Sequence, residues 1–196
     1  VAACDYKRAF DGDKGPNTGG MGSYSPPPFW TAELEQEVQQ SIMIPTVRAM
    51  AQEGCVYRGV LYGGLMLTKD GPKVLEFNCR LGDPETQVIL PRLRTDLVEI
   101  LLSVADGMLN KTLIEWSAET CVGVAMASSG YPGSYSTGVP ILGLVEAEAS
   151  GLVFHAGTIQ EKEEGSEIVS NGGRVLTVVG KGSSMDEARA QAYEGM

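Results

Sequence analysis

The residues best placed to do chemistry lie in one stretch, Val74-Leu-Glu-Phe-Asn-Cys-Arg-Leu-Gly-Asp-Pro-Glu85. Side chains of a strand alternate between its faces. Glu76, Asn78 and Arg80 are therefore expected on one side, with Leu75, Phe77 and Cys79 turned into apolar packing on the other. A carboxylate and an amide oxygen two residues apart are hard donors of the kind Mg²⁺ takes, nucleotide phosphates filling its remaining positions. An arginine one step further can grip a phosphoryl group or offset charge that develops during its transfer. A half-exposed strand with a polar outer face would carry the same E-x-N-x-R spelling. The next residues weigh against that plainer reading, because Arg80-Leu-Gly-Asp-Pro-Glu85 places an arginine, a glycine, a carboxylate and a helix start side by side.

A second candidate is Gly15-Pro-Asn-Thr-Gly-Gly-Met-Gly22, whose glycines and Asn17 would let backbone N–H groups converge on an anion. It matches neither a Walker A sequence nor G-x-G-x-x-G, and most glycine-rich loops are simply turns. Asp5, Lys7 and Arg8 just upstream would orient a phosphorylated or carboxylate substrate, although a charged strand end accounts for them equally. Asp83 has a plain role open to it as the N-cap of a helix with Pro84 at its first position. His155 is expected to be a satisfied, partly buried histidine, Asn171-Gly-Gly-Arg174 a hairpin turn, and Tyr131-Pro-Gly-Ser-Tyr135 a rigid turn.

Elements must position these groups. A strand end is expected over residues 1–5, followed by a segment, 11–28, too rich in Gly and Pro for the interior of a helix or sheet. A helix is predicted from Ala32 to about Gln52, capped by Thr31, stopped by Gly54 and kinked or divided at Pro45, with Leu34, Val38 and Ile42 as its inward stripe. Strands over 59–68 and 73–79 should form an antiparallel hairpin about Asp70-Gly71. A further helix is predicted over about 96–106, capped by Thr95 and stopped by Gly107. Beyond Asn110 the chain reads as strands over 120–127, 153–155 and 174–179, an exposed charged turn at 161–164, and a last helix opened by Ser184-Met-Asp-Glu187. A division is expected near residues 110–119, giving parts 1–112 and 113–196.

Composition removes several classes. With 25 acidic and 15 basic residues the net charge is −10, so the chain has no phosphate-neutralising field for nucleic acid. No apolar run reaches membrane-spanning length. The four cysteines, Cys4, Cys55, Cys79 and Cys121, form no C-x-x-C pair and are expected as reduced, mostly buried thiols of a cytoplasmic protein. A single histidine leaves no His cluster for zinc, so any metal should be a hard cation held by oxygen.

Taken together, Asp5-Tyr-Lys-Arg8, Gly15–Gly22, Gly59–Met66, Leu75–Gln87, Gly130–Gly133, His155–Thr158 and Asn171–Leu176 resemble the glycinamide ribonucleotide synthetases, ligases of the ATP-grasp superfamily. The segments occur in the family's order across nearly the whole chain, and Arg80–Gln87 resembles its signature segment; Leu81 stands where many members carry Phe. The resemblance implies an α+β fold: the second half of an ATP-grasp core, an antiparallel sheet with helices, followed by a small β-rich C-terminal domain. It implies that ATP, glycine and 5-phosphoribosylamine are joined through a glycyl phosphate to give glycinamide ribonucleotide, ADP and phosphate. Glu76 and Asn78 would then hold Mg²⁺ or Mn²⁺, and Arg80 would be the catalytic group on the transferred phosphoryl. Asp5, Lys7, Gly19, Gly20, Met21 and Asp83 would bind substrate. ATP-grasp enzymes often supply another carboxylate from the preceding strand, where this chain has the apolar Gly64-Leu-Met-Leu67.

Family members are about twice this length, so an N-terminal domain and an adenine-clamping lobe are expected upstream of Val1 and a closing segment beyond Met196. On that expectation these 196 residues alone are inactive. A monomer without nucleic-acid or membrane partners is expected. The competing readings are an ATP-grasp ligase acting on another acid, such as a carboxylase, and a non-catalytic binding module. Arg80–Gln87 argues against the first, and intact Glu76, Asn78 and Arg80 against the second.

Overall fold

The computed structural model describes residues 1–160 and 167–196; the charged turn expected at 161–164 lies outside them. The chain forms two compact units, one of Val1–Pro27, Asp83–Arg92 and Ser117–Met196, the other of Pro28–Gly82 and Leu93–Trp116.

The first unit is built on a five-stranded sheet, β1 (Cys4–Phe10), β2 (Lys14–Ser25), β5 (Thr120–Ala127), β6 (Leu152–His155) and β9 (Arg174–Gly182), in the order β1-β2-β5-β9-β6. Every pairing in it is antiparallel. Two helices cover its faces. The short α3 (Thr86–Ile89) lays the fully buried Val88 over Gly123. Gly123 pairs with Val179, so both point to that face, where Val88, Cys121 and Val179 form the core. The adjacent pair, Val122 with Gly180, points the other way. There α6 (Met185–Glu194) packs so close that a Cβ on Gly180 would lie 2.1 Å from the Ala188 carbonyl oxygen. Ala188 and Ala192, both fully buried, make that approach possible. Ser184 caps α6 by accepting from the Glu187 N–H at 3.3 Å, while Glu187 takes the N–H of Ser183. A separate ladder pairs β7 (Thr158–Gln160) with β8 (Ile168–Ser170), and α5 (Leu144–Ser150) precedes β6.

Here the glycine-rich segment departs from expectation, because it is a strand rather than a loop. β2 has its regular partner in β5, a strand about 100 residues away in sequence, and pairs Gly22 with Val124 and Ser23 with Gly123. Glycine is what allows it: a Cβ on Gly22 would lie 2.7 Å from the Gly123 carbonyl. Its loop character survives as a large bulge. Tyr6 pairs with Gly22 and Arg8 with Asn17, so residues 18–21 face only Lys7 across the ladder. Thr18 holds the bulge, donating to the Lys7 carbonyl at 2.9 Å and accepting from the Gly20 N–H at 3.0 Å.

The second unit holds α1 (Ala32–Val38), capped by Thr31, and α2 (Ile44–Gln52), separated by one π-helical turn at Gln39–Met43. Pro45 sits at the start of α2, where its missing N–H divides the predicted helix as expected. The hairpin of β3 (Tyr62–Thr68) and β4 (Gly71–Asn78) turns about Asp70-Gly71. Val74 and Glu76 pair with the adjacent Leu65 and Gly64, leaving Leu75 as an extra residue in β4. That bulge and the two-stranded sheet explain a second departure: Leu75 is 63% exposed and Phe77 40%, not turned into packing. α4 (Leu97–Ala105) is capped by Asp96, whose carboxylate accepts from the Val98 and Glu99 N–H groups. Thr95, the expected cap, instead donates to the Leu113 carbonyl and accepts from Glu115.

Three smaller expectations are corrected. Of the four cysteines only Cys121 is buried; Cys55 and Cys79 are exposed and Cys4 is half-buried. His155 is exposed, its Nδ1 3.0 Å from the Thr158 hydroxyl. Asn171-Gly-Gly-Arg174 joins two strands that do not pair with each other, β8 and β9, so it is no hairpin turn.

Candidate functional site

The predicted site residues fall into two groups, one in each compact unit. In the second unit β4 carries Glu76 and Asn78. Beyond the Leu75 bulge the strand alternation holds, so their side chains share a face and touch, Asn78 Nδ2 lying 3.2 Å from Glu76 Oε1. Arg80 lies past the end of β4 and is not on the strand face. Its guanidinium is exposed and donates to the Leu81 carbonyl at 2.9 Å, a local contact that leaves further N–H groups available. Cys79 between them faces Tyr57, and that hydrogen bond raises the Tyr57 hydroxyl above its ordinary pKa.

The Glu76–Asn78 pair fits a hard cation. Turning the amide of Asn78 over puts its oxygen where the nitrogen stands, 3.2 Å from the carboxylate oxygen. Neighbouring ligands of an octahedral Mg²⁺ at about 2.1 Å stand about 3 Å apart. Among the described residues no group of three or more His, Cys, Asp or Glu could hold a metal, and Glu76 with Asn78 would offer two oxygens. That suits an ion whose other ligands are phosphate oxygens and water.

The first unit gathers the other group around the β2 bulge. Asp83 is not a helix cap; the residue before α3 is Glu85. The Asp83 carboxylate is engaged instead by Arg174, through Nη1–Oδ1 at 3.1 Å and Nη2–Oδ2 at 2.7 Å, and by Gln87 Nε2, which donates to Oδ1 at 3.0 Å. Arg174 Nη1 also donates to the Gly20 carbonyl at 3.3 Å. The Gly19 N–H donates to the Tyr131 hydroxyl oxygen at 2.9 Å. These contacts need glycine: a Cβ would lie 3.0 Å from the Arg174 guanidinium at Gly19, 2.3 Å from Pro84 at Gly20, and 2.3 Å from the Tyr131 ring at Gly173. Behind them Ser23 donates to the Pro84 carbonyl at 2.8 Å, pinning the start of α3 to β2.

Asp5 and Lys7 sit two residues apart on β1, 3.9 Å from each other, and Asp5 pairs with Ser23. Met21 is half-buried at the end of the bulge. Arg8 donates to the Gly15 carbonyl at 2.7 Å and so serves the hairpin itself. Arg174 and Tyr131 are the residues that sequence reasoning missed. Both lie in segments read as turns, and Arg174 meets Asp83 across 91 residues of sequence. The only local sign was the Gly172-Gly173 pair beside Arg174, which spells a close approach as readily as a turn.

The phosphoribosylglycinamide synthetase ATP-grasp (A) domain model matches residues 1–86, and the phosphoribosylglycinamide synthetase C domain model matches residues 121–196. A protein of Halalkalibacterium halodurans named phosphoribosylamine–glycine ligase is 55% identical over 195 residues, covering 99% of this chain and 44% of that protein. An Arabidopsis thaliana protein of the same name, described as chloroplastic, is 50% identical over 200 residues and is covered to 37%. The crystal structure of phosphoribosylamine–glycine ligase from Thermotoga maritima is 38% identical with a TM-score of 0.78, covering 98% of this chain and 46% of that one. The K. lactis urea amidolyase structure shares the fold alone, at 14% identity and a TM-score of 0.62. The chain spans less than half the length of the curated relatives it matches.

Proposed function

The chain belongs to the phosphoribosylglycinamide synthetase family of ATP-grasp ligases, and on that premise we propose that it supplies part of the active site of a phosphoribosylamine–glycine ligase of purine biosynthesis. The reaction joins glycine to 5-phosphoribosylamine with ATP, giving glycinamide ribonucleotide, ADP and phosphate. The observation that carries the reading is the contact of the Glu76 carboxylate with the Asn78 amide, 3.2 Å apart on one strand face and followed by the exposed Arg80. Magnesium, or manganese in its place, would be held by Glu76 and Asn78 and would neutralise the charge of the ATP phosphates.

In this reading a glycine carboxylate oxygen attacks the γ-phosphorus of ATP and ADP leaves. The amine nitrogen then attacks the acyl carbon, and phosphate departs with the glycine oxygen. Arg80 offsets charge on the phosphoryl oxygens while it passes. Asp83, with Asp5, Lys7, Gly19, Gly20 and Met21, forms the substrate-binding edge in the first unit. Because the work is positioning and electrostatics, no cysteine or histidine nucleophile is required. The two sequence parts, 1–112 and 113–196, correspond to core and C-terminal domain. Since the chain spans under half of its relatives, turnover is proposed to need more than these 196 residues. The compartment is proposed to be the cytoplasm; among the described residues no helix is long and apolar enough to cross a membrane.

The test uses a polypeptide of the relatives' full length that contains this chain. Given glycine labelled with heavy oxygen in its carboxylate, ATP and the amine, it should release phosphate carrying one labelled oxygen per turnover. Unlabelled phosphate alongside product would refute the acyl phosphate route. Turnover with another carboxylate in preference to glycine would refute the substrate assignment.

A further inference from the structure

The Asp83–Arg174 pair is partly open to water. The Asp83 side chain is 50% exposed, so solvent screens the Coulomb attraction there. Yet the geometry is that of the most directional pairing available to a carboxylate, two parallel N–H···O bonds from one guanidinium. Arg174 is the better buried partner, 20% exposed, and is itself anchored on the Gly20 carbonyl. The arrangement spends the arginine to fix where the carboxylate points.

Counting acceptors shows what that leaves. Each carboxylate oxygen offers two lone pairs. Oδ1 takes Arg174 Nη1 and Gln87 Nε2, whereas Oδ2 takes Arg174 Nη2. One acceptor direction on Oδ2 is therefore taken by none of these donors, on a side chain half open to solvent. Gln87 adds a second sign. Its Nε2 is turned to Asp83 while its own Oε1 is buried without a hydrogen-bond partner.

Resting on the ligase reading above, we propose that Arg174 is a positioning residue: it holds Asp83 so that the open Oδ2 acceptor receives an N–H of an aliphatic amine substrate. Both co-substrates of that reaction carry such a group, glycine on its α-carbon and phosphoribosylamine on its sugar. Tyr131 belongs to the same support, since its hydroxyl holds the Gly19 N–H and its ring lies on Gly173, next to Arg174.

The experiment is steady-state kinetics of the full-length ligase with Arg174→Met, Arg174→Lys, Asp83→Asn and the Asp83→Asn/Arg174→Met double variant, KM being measured separately for glycine, phosphoribosylamine and ATP. Arg174→Met should raise KM for one of the two amines about 10- to 100-fold, the loss of one hydrogen bond to a charged group, with kcat and the KM for ATP nearly unchanged. The amine whose KM moves is the one that docks on Asp83. Arg174→Lys should recover part of the loss, since it keeps the charge but not the fork. The double variant should be no weaker than Asp83→Asn, because Arg174 acts only through Asp83. The inference is overturned if Arg174→Met leaves both amine KM values in place, or if the two losses multiply in the double variant. Should Arg174→Met fail to fold by circular dichroism, Arg174→Lys decides on the same readout. Absence of glycine-dependent turnover in the unsubstituted ligase removes the reading of function itself, whereas turnover with unmoved KM values removes only the role of Arg174.

Discussion

Replacing Gly20 by alanine tests the packing that builds the bulge. Gly20 is buried on β2 with φ +113, a conformation side-chain-bearing residues rarely adopt. An added methyl would lie 2.3 Å from Pro84 Cδ and 2.9 Å from its Cγ, atoms of a ring that cannot swing aside. The backbone conformation costs about 1–3 kcal/mol, and forcing an extra methyl into a filled space about 1–3 kcal/mol more. The sum is roughly 2–6 kcal/mol. Gly138→Ala is the control, because it lies in the same compact unit with φ +80 and has no atom within 4 Å of the added methyl. It should lose only the backbone part, about 1–2 kcal/mol. Urea unfolding followed by far-UV circular dichroism reads both. Gly20→Ala should have the lower midpoint, with the slope unchanged in each. If Gly20→Ala unfolds at or above the midpoint of Gly138→Ala, the contact between β2 and Pro84 is not what shapes the bulge.

Thiol labelling should separate the cysteines. Exposed Cys55 and Cys79 react first, half-buried Cys4 slowly, and Cys121 only on unfolding, because burial raises the thiols of Cys4 and Cys121; early labelling of Cys121 would contradict the core assignment. The same shifts set a pH dependence. The unfolded chain releases these protons first, so their contribution to stability is whole below the ordinary thiol pKa of about 8.5 and is lost as pH rises toward the folded values. Alkaline unfolding midpoints should therefore fall less in Cys121→Ser, measured against its own neutral-pH stability. Val88→Ala removes methyl contacts from the fully buried cluster with Cys121 and Val179 and should cost about 1.5–3 kcal/mol in the same urea assay; a cost within the error of the assay would mean that α3 does not anchor the sheet.

What the sequence revealed and what it hid divide along local and distant interactions. The Asp70-Gly71 hairpin, the Thr31 and Ser184 caps and the break at Pro45 depend on residues a few positions apart, and all appear in the fold. The adjacency of Glu76 and Asn78 follows from strand alternation alone. The glycine-rich strand spells a loop because its regular partner is β5, and nothing near Gly22 announces Gly123. Asp83 before Pro84 spells a helix cap, while its real partner Arg174 lies far along the chain. Leu75 and Phe77 show the converse failure. Apolar type predicted burial, but a bulged two-stranded hairpin leaves them open.

The most direct test of the proposed site is the Mg²⁺ dependence of glycine-dependent ADP formation in the full-length ligase, compared with Glu76→Ala. Removing one of the two oxygen ligands should raise the Mg²⁺ concentration needed for half-maximal rate by at least about 10-fold. The fold should be unaffected, since Glu76 lies on an exposed strand face. An unchanged Mg²⁺ requirement with full activity would contradict the assignment of β4 as the strand that holds the metal.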